Sequence, residues 1–239
     1  MVNEYTGITE YYDLLMTSGY YDYQKMAKEV HSIVGDGCEL LELGVGTALL
    51  AEQYMKIDPT CKFTGIDFTP SMIEIAKRRL GNWAKLIEAD AITMDLKATF
   101  DGAIANGGVW GFLDWGDRWE LASHIPDVEA NRQGLKNLAR HLREGGLLLL
   151  NRQKPHENYD KSLSAGIVYS QFIEEGEDTR DYYTIKKSYL FKKDGEIMAQ
   201  EQLTLTYFKP EAYRQMLSEA GFDFQGTNNS ELLAIYKKR

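Results

Sequence analysis

The stretch ELLELGVGTALL, residues 39–50, decides the fold. An apolar run to Leu43 meets two glycines two apart, Gly44 and Gly46, and a second apolar run follows. A buried strand feeds a tight turn and a helix N-terminus in this way, the usual cradle for an anionic nucleotide. Two features resist a pyrophosphate. Glu42 sets a carboxylate directly before the first glycine, and the third glycine of the dinucleotide fingerprint is missing.

Outward from this stretch, strand and helix patterns alternate. Strands are expected at 38–43, 62–67, 85–89, 101–106 and 147–153. Helices are expected at 47–57, at 70–81 with Thr69 as N-cap and Pro70 in the first helical position, and at 127–143, stopped by Gly145-Gly146. Continuous apolar strands alternating with helices predict an α/β fold, its parallel sheet covered on both faces. Ahead of it, residues 4–34 read as one or two helices rich in tyrosine: Tyr5, Tyr11, Tyr12, Tyr20, Tyr21 and Tyr23. From about 164 to 208 the pattern turns β, with a hairpin at Asp194-Gly195. Leu203, Leu205 and Tyr207 alternate there with Thr204, Thr206 and Phe208. A helix over 210–220 and a strand pair around Asn228-Asn229 close the chain.

Composition narrows the function. The 239 residues carry a formal charge of −9, against a nucleic-acid partner, which needs a basic face. Cys38 and Cys61 form no CxxC pair, so both are expected as buried free thiols in a reducing compartment. The opening MVNEYTGITEYYD is acidic and lacks an apolar signal core, and no apolar run approaches the ~20 residues that span a bilayer. A cytoplasmic location away from membranes is the expectation.

Ligands of open α/β sheets bind beyond the carboxyl ends of the strands. Four such ends carry polar residues: Glu42 with its glycines, Asp67, Asp90, and Asn106 before Gly107-Gly108. Three carboxylates around one pocket repel a pyrophosphate and suit a cationic nucleoside. S-adenosylmethionine, with ribose, adenine, sulfonium and ammonium, has that chemistry.

At this point the chain resembles the class I S-adenosylmethionine-dependent methyltransferases. LLELGVGTA is similar to the family's first motif, with Ala48 where a third glycine is common. GIDFTPSMIEIAKRR, EADA and FDGAIANGG resemble its second, third and fourth motifs, and LREGGLLLL and LSEAGF later landmarks. The resemblance implies a Rossmann-like, seven-stranded, mostly parallel sheet with an antiparallel β insertion between the fifth strand and the next helix. It implies an N-terminal helical lid at 1–37, a cofactor domain at 38–155 and 209–239, and a substrate-capping insertion at 156–208. Gly44 and Gly46 would approach the methionyl part and Glu42 its ammonium. Asp67 would take the ribose hydroxyls, with Phe68 and Met72 on the adenine side. Asp90 and the Ala91 amide would face the adenine edge, and Asn106 the ammonium. Tyr12 and Tyr23 resemble an element lying over the methionyl carboxylate.

The acceptor is expected at the 107–127 loop, with Trp110 and Trp115 as aromatic walls and His124 as the base with a near-neutral pKa. Asp114 is the other catalytic candidate. Enzymes of this family acting on nucleobase or amide nitrogens often carry an Asn/Asp-Pro-Pro-aromatic motif after the fourth strand; here it reads NGGV. A small-molecule acceptor follows, with an amine slightly favoured over a hydroxyl, S-adenosylhomocysteine as product, no metal, and a homodimer as a candidate assembly. A cofactor-binding protein without transfer activity is the reading from outside enzymology.

Overall fold

A computed structural model describes residues 4–239; the first three residues of the expected lid lie outside the described residues. Strands β1 (Glu39–Leu43), β2 (Lys62–Asp67), β3 (Lys85–Glu88), β4 (Phe100–Ala105) and β7 (Leu142–Gln153) pair in parallel in the order β3-β2-β1-β4-β7. β13 (Leu233–Lys238) adds antiparallel to β7, and β12 (Phe222–Thr227) pairs with β13. These seven mostly parallel strands agree with the sheet that the resemblance implied. Helices α2 (Tyr23–Val34), α3 (Leu49–Ile57) and α4 (Pro70–Leu80) enclose one apolar cluster with Leu40, Phe63 and Ile104. Helices α5 (Val128–Arg140) and α6 (Pro210–Glu219) enclose another with Leu41, Ala103 and Leu148. Leu40 and Leu41 point to opposite faces, as strand pleating requires, so a continuous apolar run marks a strand buried on both sides.

Several expected boundaries move, each for a local reason. The helix over 127–143 ends at Arg140, not at the Gly145-Gly146 pair, which lies inside β7. His141 stops it: its Nδ1 donates to the Asn137 carbonyl and its Nε2 accepts from the Leu96 amide. The N-terminal helices are a turn at Thr6–Ile8, α1 (Thr9–Leu15), a wide turn at Met16–Tyr20 and α2, interrupted where Gly19 takes φ 90°. Thr69 precedes α4 without a side-chain cap.

The expected acceptor loop is a correction of a larger kind. Residues 110–123 form a hairpin, β5 (Trp110–Asp114) and β6 (Trp119–Ser123), not a loop. It joins β8 (Tyr159–Ser162), β9 (Ile167–Asp178), β10 (Tyr182–Lys193) and β11 (Glu196–Phe208) in the order β5-β6-β11-β10-β9-β8. The pairs Phe112↔Arg152 and Leu113↔Gln153 weld this second layer to the end of β7. The β10–β11 turn falls at Asp194-Gly195, both with positive φ, as the sequence predicts for a two-residue turn.

Residues 4–20 pack on this β layer. Ile8, Leu15 and Met16 share a buried cluster with Tyr169, Tyr189, Leu203 and Leu205. Cys38 and Cys61 are free and buried, their sulfurs 3.4 Å apart at the amino ends of β1 and β2. Among the described residues no helix is long and apolar enough to cross a membrane.

Candidate active site

The carboxyl ends of β1 to β4 open on one cleft of ≈ 290 Å³. Gly44, Gly46, Asp67, Phe68, Met72, Asp90, Ala91 and Tyr12 line it, eight of the residues expected to hold a cofactor. Gly44 takes φ +65°, and a Cβ there would meet Gly108 Cα at 3.1 Å, so the two glycine loops touch backbone to backbone. Asp67 is held from both sides. The Gly46 amide donates to its Oδ2 at 2.9 Å and the Thr69 amide to its Oδ1 at 2.9 Å. Burial nevertheless raises its pKa above the usual carboxylate value. Asp90 sits at the outer rim, its Oδ1 accepting from the Ile92 amide.

Glu42, Tyr23 and Asn106 lie one step deeper, around a small recess that Tyr12 separates from the main cleft. Glu42 is 3% exposed and its Oε2 has no hydrogen-bond partner. Burial, with Asp67's charge second, pushes its pKa well above the ordinary value. Both polar atoms of the Asn106 side chain are buried and unpartnered too. Unsatisfied buried polar atoms are rare and costly, and this recess holds two open acceptors, Glu42 Oε2 and Asn106 Oδ1, beside one open donor, Asn106 Nδ2.

The N-terminal segment is fastened over this end. Asp13 pairs with Arg79 and accepts from the Thr47 hydroxyl, while the Arg79 Nε donates to the Thr47 carbonyl. Tyr12 thereby lies against Gly46. Tyr21 packs so closely on Gly107 that a Cβ there would fall 2.3 Å from its hydroxyl oxygen, and that hydroxyl donates to Gln153.

His124 reaches the cleft, stacked beside Tyr5, with the Tyr5 hydroxyl 3.3 Å from Nδ1. Burial, then the nearby Lys187 charge, lowers its pKa to about 4, so the ring is neutral at physiological pH. The other acceptor-side candidates lie away from the cleft. Trp110 is 1% exposed, its indole donates to Asn131 Oδ1 at 2.8 Å, and its ring packs on Gly134; it is core, outside the cleft. Trp115 donates to Glu120 under Arg118, also away from the cleft. Asp114 ion-pairs with Arg152 at 2.6 Å and accepts from the Gly116 amide, a turn and brace with no access to the cleft.

Behind His124 lies a buried side-chain cluster that the sequence reading missed. Tyr5, Tyr20, Tyr189 and Tyr207 surround Lys187 and His156. Lys187 is 1% exposed; its ammonium donates to the Tyr20 hydroxyl at 3.1 Å and lies over the Tyr189 ring. Burial lowers its pKa to about 7.

Comparison with known proteins points to the same fold. Residues 40–146 match the family described as methyltransferase domain. The chain is 32% identical over 111 residues to a malonyl-[acyl-carrier protein] O-methyltransferase of Bacillus anthracis, 46% of this chain and 35% of that one. It is 28% identical over 144 residues to a glycine N-methyltransferase of Oryctolagus cuniculus, 54% of this chain and 44% of that one. The match thus spans less than half the length of either relative. Among solved structures, an S-adenosylmethionine-bound amino pentose methyltransferase of Micromonospora echinaspora superposes with a TM-score of 0.70 at 20% identity, covering 95% of this chain and 96% of that one. The glycine-loop residues and the carboxylates at the strand ends lie within the stretch 40–146 that matches the methyltransferase domain family, on a Rossmann-like fold shared with that solved methyltransferase.

Proposed function

We propose that the chain is an S-adenosylmethionine-dependent methyltransferase of a small molecule, with an amine acceptor favoured. The observation that carries this is the pair of orphans at the methionyl end: a buried Glu42 carboxyl and an Asn106 amide with no protein partners. A ligand ammonium donates to the Glu42 carboxylate and to the Asn106 Oδ1, whereas a pyrophosphate has no hydrogen to offer either oxygen. Asp67 offers its remaining lone pairs to the ribose, and Asp90 and the Ala91 amide face the adenine edge. When bound, S-adenosylmethionine supplies a methyl group on a good leaving group, so the protein has to bind, align and exclude water. Tyr5, Tyr12 and Tyr21 exclude water at the methyl end, and residues 4–23 act as its cover.

The tyrosine cluster around Lys187 also bears on the acceptor's proton. An alkyl ammonium ordinarily titrates near ~10.4, yet burial beside these tyrosines brings Lys187 to about 7. An acceptor amine entering the same surroundings meets the same desolvation, which favours its neutral, nucleophilic form. His124, neutral already, accepts a hydrogen bond and orients the amine rather than storing its proton. The glycine N-methyltransferase relative supports nitrogen, and the O-methyltransferase relative keeps a hydroxyl or carboxylate acceptor as the second reading. Product mass and pH profile separate the two.

Glu42 provides the test. Its raised pKa means that the folded apo protein holds a proton there which the unfolded chain releases. Apo stability therefore falls as pH rises from Glu42's ordinary value to its raised one. A bound ammonium favours the carboxylate, so binding expels that proton, and affinity increases with pH by up to about tenfold per unit across the interval. Calorimetry in buffers of different ionisation enthalpy should register the release. Glu42→Gln should flatten the profile and weaken binding. Pyrophosphate-type binding with no proton release would count against this reading.

A further inference from the structure

A second opening lies on the far side of Tyr21 from the cofactor cleft. It is a groove of ≈ 640 Å³ between the wide turn at Met16–Tyr20 and the end of β7. In a chain of net charge −9, its lining is basic: Lys25, Arg152, Lys154 and Lys161 against Asp22 and Glu157. Its wall also holds donors without acceptors. Asn151 is fully buried with Nδ2 unpartnered, and the Arg152 side chain, 7% exposed, leaves Nε unpartnered although its terminal nitrogens are engaged. Tyr20 forms part of the lining and accepts from Lys187 behind it. Among the described residues Lys187 has no carboxylate in ion-pair range; its neighbours are the rings of Tyr20 and Tyr189.

Those are the parts of an anion site. An unpaired buried ammonium is costly unless a counter-charge arrives, and buried N–H groups without acceptors are costly in the same way. The groove and the cofactor cleft are separated by the Tyr21 ring, which the Gln153 side-chain Oε1 holds against Gly107. Resting on the methyltransferase reading for its purpose, we propose that this groove admits the methyl acceptor and that the acceptor's non-reacting end is an oxyanion. A carboxylate or phosphate there takes hydrogen bonds from Asn151 and Arg152 and charge from Lys187. The nucleophilic end then passes Tyr21 towards the methyl position near His124 and Tyr5. The acid and base groups facing Lys187 are tyrosines and the two neutral histidines, so no protein carboxylate competes for the cation.

The test needs neither the acceptor nor turnover. Inorganic phosphate and malonate are titrated separately into the protein, with chloride at matched ionic strength as the control, and followed by tyrosine fluorescence and amide NMR. Saturable binding of either anion is expected, with shifts at the groove. The one that binds identifies phosphate or carboxylate chemistry. Lys187→Met should weaken that binding by about tenfold or more, as loss of a charge-assisted contact requires. It should also melt at or above the wild-type temperature, because an unpaired buried cation has been removed. If that variant is poorly folded, Lys154→Met with Lys161→Met tests the same field from exposed or half-buried positions and should also weaken binding. Absence of saturation for both anions, or saturation untouched by either variant, overturns the proposal. Cofactor binding is measured independently, so loss of the anion site and loss of the methyltransferase reading are separate results.

Discussion

Asp67→Ala should bind S-adenosylmethionine about 100-fold or more weakly than the wild type. In the proposed site the carboxylate offers charge-assisted acceptors to two ribose hydroxyls, each worth about 1.5–3 kcal/mol. It also organises the site before any ligand arrives, since it accepts from the Gly46 and Thr69 amides. Removing it therefore loosens the glycine turn and the start of α4 together. Asp67→Asn separates the two effects. It keeps an acceptor oxygen and loses the charge, so an affinity between those of Ala and wild type is expected. Titration calorimetry on all three proteins checks this, with apo melting as the control for folding. Wild-type affinity in Asp67→Ala would place the ribose elsewhere.

Trp110→Ala should destabilise the fold by about 3–5 kcal/mol, the usual loss for truncating a fully buried large aromatic residue. The cavity would open between Gly134 of α5 and the start of β5, and Asn131 Oδ1 would lose its indole donor, keeping only the Ser123 hydroxyl. Trp115→Ala, at 43% exposure, should change stability by about 1 kcal/mol or less. Urea denaturation separates them. Equal, small losses with impaired turnover in both would restore the tryptophans to an acceptor wall.

The contrast between these two predictions also marks what was legible in the sequence. Glu42, Gly44, Gly46, Asp67, Asp90 and Asn106 each end or follow a strand, and a parallel sheet brings consecutive strand ends together by its topology alone. Their convergence could be read without distances. The acceptor side depends on pairings far apart in sequence. The stretch with Trp110 and Trp115 reads as an aromatic loop because β5 and β6 are five residues each, too short for a clear alternation. Their partners, Asn131, Arg152 and β11, are contributed by other elements. Asp114 reads locally as a carboxylate open to solvent, but Arg152, 38 residues on, closes on it. Lys187 did leave a signal: it shares the inward register of β10 with Ile185, Tyr189 and Phe191, all buried. A lysine in an apolar register is the mark of a buried cation, but its contact with Tyr20 spans 167 residues and no local pattern contains it.

The tyrosines of the N-terminal segment divide in the same way. Tyr11 stacks on Phe191 as packing, whereas Tyr12 faces the glycine turn and Tyr5 faces His124. Helical spacing alone could not sort them, because the segment packs on the second β layer along one side and covers the cleft along another.

Thermal melting with S-adenosylmethionine, S-adenosylhomocysteine and NAD in parallel tests the central claim most directly. At a hundredfold excess over the dissociation constant, ligand binding stabilises by about 2.7 kcal/mol. For a chain of this size that is a rise of roughly 5–11 °C. Both S-adenosyl compounds should produce such a shift, because each carries the ammonium proposed to meet Glu42 and Asn106, and NAD should produce none. A shift with NAD and none with S-adenosylmethionine would contradict the account.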